Sequence, residues 1–296
     1  DWLGERLLGI APERSLPTFA SESFVDWFER RGGAAVEPAE ATDRVVLFPD
    51  SFTNYMDPTP GKAAVEILEA AGVHVTVAAD LGASGRAAVS LGFLDVARER
   101  AAGNIDRLAP AVADGRSVLF VEPPDAVVVQ DEYRDLLGGG GGPTDEVPAD
   151  GVDPAAVEAV VEASAGVVEY LDTTGVAETL SWDAPDESLT YHGHCNQKAI
   201  GTDHHAVAVL RRAGYTVDPV DATCCGMAGS FGYESEHYDL SQAIGQILFD
   251  QVDASAGESV AASGGSCRLQ LDDGGVAADV RHPLQHLAAA LDSRYR

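Results

Sequence analysis

Four thiols are the residues of this 296-residue chain best suited to chemistry: Cys195, the adjacent pair Cys224-Cys225, and Cys267, spaced C-x28-C-C-x41-C. Four cysteinates can hold an iron-sulfur cluster or a zinc ion. The competing readings are buried small hydrophobes, which is how most free cysteines behave, and disulfides, which an even count permits. Adjacent cysteines rarely meet disulfide geometry with each other, and no oxidising compartment is indicated. Neighbouring thiolates on one backbone turn spread more easily over several irons than around one small tetrahedral ion, which favours a polynuclear cluster over mononuclear zinc. The candidate metal and cofactor ligands are therefore Cys195, Cys224, Cys225 and Cys267.

An alternation of strands and helices must position those thiols. Ser188 to Tyr191 reads as a strand running towards Cys195, Tyr215 to Val220 as a second running into Cys224-Cys225, and Glu258 to Ala262 as a third running into Cys267. Two intervening stretches carry apolar residues at three- and four-residue spacing, one around Ala206, Val207, Leu210 and Ala213, the other around Leu240, Ala243, Ile244, Ile247 and Leu248. The order strand, helix, strand, helix, strand predicts a parallel sheet with right-handed crossovers. In such a sheet ligands bind outside the carboxyl ends of the strands, so all four cysteines are expected to converge on one crevice.

Glycines crowd the same positions: Gly226, Gly229 and Gly232 follow the cysteine pair, and Gly264-Gly265 precede Cys267. They let the backbone approach a bulky inorganic core and donate amide hydrogen bonds to its sulfurs. The segment Ala228-Gly229-Ser230-Phe231-Gly232 lacks the first glycine of a hydrolase nucleophile elbow, and no ordered acid and histidine follow it, which argues against a serine hydrolase. His192, His194 and His282 lie near strand or helix ends and could ligate metal or donate to a cluster; an ordinary hydrogen-bonded role is the simpler expectation.

The chain also repeats itself at an offset of about 142 residues. Ala71-Gly72-Val73-His74-Val75 matches Ala213-Gly214-Tyr215-Thr216-Val217, and Thr53-Asn54 matches Cys195-Asn196. Ala83-Ser84-Gly85 sits opposite Cys224-Cys225-Gly226 after a one-residue slip, and Asp125 falls opposite Cys267. The first copy has the architecture without the thiols and cannot hold a thiolate-ligated cluster of its own. Its strand ends at Asp50, Ser84 and Asp125 are expected to wall a shared crevice, with Asp125 a solvated loop acid rather than a ligand. The predicted fold class is α/β, two pseudo-repeated lobes, each a small parallel sheet flanked by helices. Residues 1–42 read as a leader, helical around Phe24 to Arg31, and 43–137 as the cysteine-free repeat. Residues 138–180 read as an acidic Gly/Pro linker followed by a connecting helix from Ala155 to Leu171, and 181–296 as the cysteine-rich domain.

Taken together, His192-Gly193-His194-Cys195, the run Cys224 to Glu234 (CCGMAGSFGYE), Ser266-Cys267-Arg268 with Gln270, and Arg281-His282-Pro283 resemble the cysteine-rich CCG domains of iron-sulfur oxidoreductases. They are similar to the carboxyl-terminal parts of fusions that join a flavin-linked 2-hydroxy-acid dehydrogenase to an iron-sulfur module. In the first repeat, Asp50 to Tyr55 and Gly85 to Gly92 resemble the degenerate copy of that lineage, and Leu8 to Arg14 (LGIAPER) resembles the linker after its ferredoxin-like part. The resemblance implies a cluster of the 4Fe-4S type on the four cysteines, electron transfer as the task, and no catalytic residue within the chain. It implies FAD on a partner or an upstream domain that oxidises a small 2-hydroxy acid such as lactate or glycolate, a ferredoxin-like Fe-S domain as a second partner, and a peripheral membrane electron acceptor. The family pattern often ends in CxxC, whereas Gly264 stands at the first of those positions, which leaves a four-ligand cluster rather than a five-cysteine one. A thiol-disulfide reductase of the CCG type and a structural zinc module that docks a partner are the rival classes.

Net charge is −29, from 48 acids against 19 bases, which excludes nucleic-acid binding through phosphates. With 45% hydrophobic residues and charge spread along the whole chain, it is unlike a disordered acidic tail. An acid-rich surface with lysine at Lys62 and Lys198 alone fits a protein soluble in concentrated salt, so a halophilic, cytoplasmic source is expected, with any membrane association arising through partners. No apolar run is long enough to span a bilayer. Gly138 to Gly142 lack the strand-to-helix context of a dinucleotide fingerprint, so the flavin is placed elsewhere. The chain begins at Asp1 rather than methionine, which reads as a fragment and strips the missing signal peptide of meaning.

Overall fold

Val45, Val46 and Leu47 are apolar at successive positions, as a strand covered on both faces requires, and all three are buried at the centre of a parallel sheet. The computed structural model describes residues 9–138, 151–276 and 279–295. They fall into two units, Ala20–Leu180 and Asp1–Phe19 with Ser181–Arg296.

In the first unit the strands β1 (Asp43–Leu47), β2 (Val73–Val77), β3 (Ser117–Phe120) and β4 (Ser164–Gly166) lie in the order β2-β1-β3-β4, every pair parallel. The chain leaves β1 for one side and returns to its other side, so the order reverses at β1, where α/β sheets open a crevice. The long helix Leu94–Ala113 turns Ala97, Ala101, Ile105 and Leu108 inward at helical spacing. They join a core that includes Phe48 and Phe120, whose rings stack 4.9 Å apart. The helix Phe24–Arg30 is capped by the Ser23 hydroxyl, which accepts from the Asp26 amide, and it buries Phe24 and Phe28.

The second unit repeats the plan. Strands β5 (Ser188–His192), β6 (Thr216–Pro219), β7 (Ser259–Ala262) and β8 (Val280–Arg281) lie in the order β6-β5-β7-β8, again all parallel. The helices Cys195–Ile200 and His204–Ala213 lead from β5 to β6, Tyr238–Ala254 leads from β6 to β7, and Gly265–Asp273 leads from β7 towards β8. This is the α/β architecture of two pseudo-repeated lobes that the sequence predicts.

Three local features differ from expectation. Each sheet has a fourth strand, and both extra strands are short: Ser164-Ala165-Gly166 and Val280-Arg281 contain no apolar run for periodicity to detect. Ala155 to Leu171 is not one helix. It is a helix Pro154–Glu162, strand β4 and a second helix Val167–Thr173, because the backbone of Ser164 to Gly166 is drawn into pairing with Val118 to Phe120. The leader divides between the units at Phe19 and Ala20. Gly139 to Asp150, the glycine-rich and acidic heart of the expected linker, lie outside the described residues. Among the described residues no helix is long and apolar enough to cross a membrane.

Candidate metal centre

All four cysteines lie just beyond the carboxyl ends of β5, β6 and β7. Cys195 opens the helix that follows β5, Cys224 and Cys225 sit in the loop after β6, and Cys267 lies in the first turn of the helix after β7. Each thiol is coupled electrostatically to the next in a row, Cys195 to Cys224 to Cys225 to Cys267. Cys225 and Cys267 are buried, and Cys195 and Cys224 are partly exposed. None is in a disulfide.

The pKa values alternate in direction along the row. The Cys195 thiol donates to Cys224, and with burial this pushes its own pKa up. Cys224 accepts from the thiols of Cys195 and Cys225 and from the Gly226 amide at 3.3 Å, and is held down at about 2. Cys225, with one proton to offer to either Cys224 or Cys267, is pushed up by both and by burial. Cys267 accepts from Cys225 and feels the nearby imidazoles of His194 and His192, which together hold it down despite complete burial. A metal must therefore displace the protons of Cys195 and Cys225, because thiolates are the ligands.

Around one tetrahedral zinc, sulfurs at about 2.3 Å from the ion stand about 3.8 Å from each other. Among the described residues, the group of three ligating atoms lying within 4.8 Å of one another is Glu234, Glu236 and His237, and the cysteine sulfurs form no such group. Four soft thiolates fit an iron-sulfur cluster and zinc alike, and the adjacent pair Cys224-Cys225 suits ligands distributed over several metals.

Two of the three histidines cap helices. His194 accepts the Asn196 amide on Nδ1 at 3.1 Å and so caps the helix Cys195–Ile200. His282 does the same for the helix Pro283–Ala289, accepting the Leu284 amide at 3.1 Å. His192 is enclosed at the end of β5 against Cys267. The His194 ring also explains Gly264. A Cβ there would lie 2.3 Å from His194 Cδ2, so the imidazole fills the space a fifth cysteine side chain would need.

Sequence reasoning missed two cations. Lys198 donates to the carbonyls of Ala222 (2.7 Å) and Val220 (3.3 Å), tying the helix that begins at Cys195 to the loop that leads into Cys224. Arg14 is buried against the loop that follows Cys225. Lys198 is one of two lysines, and Arg14 closes the LGIAPER segment; those were the signals that could have singled them out.

In the first lobe, strand register corrects one correspondence. Val45 pairs with Val75 and Ser117, and Leu189 pairs with Val217 and Ser259. Counting forward equally from both, Asp50 corresponds to His194 and Ser51 to Cys195; the match of Thr53 with Cys195 is a coincidence of two letters that backbone pairing overrides. Asp50 and His194 each cap the helix that follows. The slipped alignment of Gly85 with Gly226 agrees with their left-handed φ values of 93° and 90°. Ser84 donates to Asp125 where the other lobe has Cys225 against Cys267.

The cysteine-rich domain family model named CCG matches residues 189–272, which span all four thiols. The chain is 28% identical over 289 residues to one of the subunits of the anaerobic glycerol-3-phosphate dehydrogenase of Escherichia coli K12, covering 96% of itself and 67% of that protein. It is 28% identical over 255 residues to the D-2-hydroxyglutarate dehydrogenase of the same strain, of which it covers 23%. It is 24% identical over 258 residues to the iron-sulfur subunit of glycolate oxidase, also from that strain, of which it covers 60%. Residues 189–272 therefore match the CCG cysteine-rich domain, within a chain similar over most of its length to these dehydrogenase and oxidase components.

Proposed function

We propose that this chain is the electron-transfer component of an oxidoreductase, with one iron-sulfur cluster of the 4Fe-4S type held by Cys195, Cys224, Cys225 and Cys267. The observation that carries this is the convergence of four thiols just beyond the ends of three adjacent parallel strands, within the segment that the CCG cysteine-rich domain model matches. A cluster there would supply single-electron transfer. The chain's own residues set its surroundings: the Gly226 amide donates to Cys224, the imidazoles of His192 and His194 lie beside Cys267, and burial of Cys225 and Cys267 keeps water from that side.

Hydride removal from carbon needs a two-electron acceptor, and that chemistry belongs to a cofactor such as flavin. We place FAD on a partner subunit or an upstream domain, beside a ferredoxin-like Fe-S domain, with a small 2-hydroxy acid such as lactate or glycolate as substrate. A cytoplasmic location, contact with a peripheral membrane acceptor and a halophilic source complete the proposal. The related dehydrogenases and oxidase, named for glycerol-3-phosphate, D-2-hydroxyglutarate and glycolate, support a hydroxyl-bearing substrate.

The isolated chain should show no turnover of lactate, glycolate or glycerol-3-phosphate with an artificial dye. Its visible absorbance should bleach when a flavin-bearing partner and substrate are added. Robust dye reduction by the flavin-free chain would overturn this division of roles.

A further inference from the structure

Arg14 lies far upstream of the cysteines in sequence, yet its side chain is fully enclosed among the residues that follow them. Its Nε donates to the Gly232 carbonyl at 2.6 Å, its Nη1 pairs with Asp273 at 3.1 Å, and its Nη2 donates to the Ser241 hydroxyl at 2.8 Å. The guanidinium also lies 5.1 Å from the Tyr238 ring centroid and 6.0 Å from that of Tyr233. Around it the backbone is stitched to the same loop: the Ala11 amide donates to the Tyr233 carbonyl and the Ser235 amide to the Gly9 carbonyl, both at 2.7 Å.

From Ser241 the contacts continue to a thiolate. The Ser241 hydroxyl donates to the Gly226 carbonyl at 2.8 Å, and the Gly226 amide donates to Cys224 at 3.3 Å. There is little slack, because a Cβ on Gly226 would lie 2.2 Å from the Ser241 carbonyl oxygen. We propose that Arg14 is a positioning residue for the cysteine site, fixing through Ser241 the turn from which the Gly226 amide reaches Cys224, and so making the leader segment part of the metal centre. A planar guanidinium suits this task because it meets three partners at fixed angles. The redox consequence rests on the cluster reading above: an amide donor to a cysteine sulfur stabilises the more electron-rich reduced state and raises its potential.

The test uses the whole chain with Arg14→Gln, Ser241→Ala and the double variant. After anaerobic purification with iron and sulfide quantified, both single variants should retain the cluster and show a more negative midpoint potential. The double variant should shift no further than the larger single shift. Unchanged potentials, or shifts that add, would contradict the relay. Hydrogen exchange on the metal-free chain separates this inference from the cluster reading: it should quicken across 222–234 in both single variants while 259–272 keeps its protection. If the parent chain binds no iron, the cluster reading fails and exchange alone decides; unchanged exchange across 222–234 overturns the role of Arg14.

Discussion

Asp50 caps the helix Ser51–Tyr55 with one carboxylate oxygen, accepting from the Thr53 amide at 2.8 Å, and leaves its other oxygen buried without a hydrogen bond. Burial first, then the negative charges of Asp125 and Glu122, push its pKa well above 3.8, against the opposing pull of Thr53. The folded state therefore binds the proton more tightly than the unfolded chain does. Its contribution to stability is present below 3.8 and is lost as pH rises from there through the higher folded value. Asp50→Asn keeps the capping oxygen and cannot ionise, so it should stabilise the protein at neutral pH by on the order of 1–3 kcal/mol. It should also flatten the decline in melting temperature as pH rises above 3.8; a variant no more stable than the parent at neutral pH would contradict this. At this scale the sequence shows the thiols and their common destination, because residue type and strand ends are local properties. Arg14 and Lys198 escape notice because their roles depend on partners brought close only by folding, Ser241 and Gly232 for one and Ala222 for the other.

Among the elements, the helix Tyr238–Ala254 decides how tightly the cysteine loop is held. It approaches the turn so closely that only hydrogen fits at Gly226, which also sits at φ 90°. Gly229, further along the same loop, has φ 68° but nothing within 4 Å of a Cβ. Gly226→Ala should therefore cost at least about 2 kcal/mol, from overpacking added to left-handed strain, and should abolish iron retention. Gly229→Ala should cost only about 1 kcal/mol and keep the metal. Equal losses in denaturant melts and equal iron contents would show that the helix does not press on the turn. The strands that carry the cysteines were legible because their apolar runs end at the thiols, and the repeat announced that the plan occurs twice. Strands β4 and β8 were not legible, since their strand character comes from a neighbour's exposed edge rather than from their own side chains.

For the whole molecule the dominant physical fact is a net charge of −29. Screening acts over about 10 Å at about 0.1 M salt and about 3 Å at about 1 M, so mutual repulsion among the acids weakens steeply over that range. The melting temperature should rise by about 5 °C or more between dilute buffer and molar potassium chloride, a change of roughly 3 kcal/mol for a chain of this size. A flat profile would remove the halophilic proposal without touching the metal centre. That centre is tested most directly by quantifying iron, acid-labile sulfide and zinc in the anaerobically purified chain and in Cys225→Ser, whose missing thiol breaks the middle of the sulfur row. The structure predicts a brown protein containing iron and sulfide, with both lost in the variant; stoichiometric zinc without iron in the parent would contradict it.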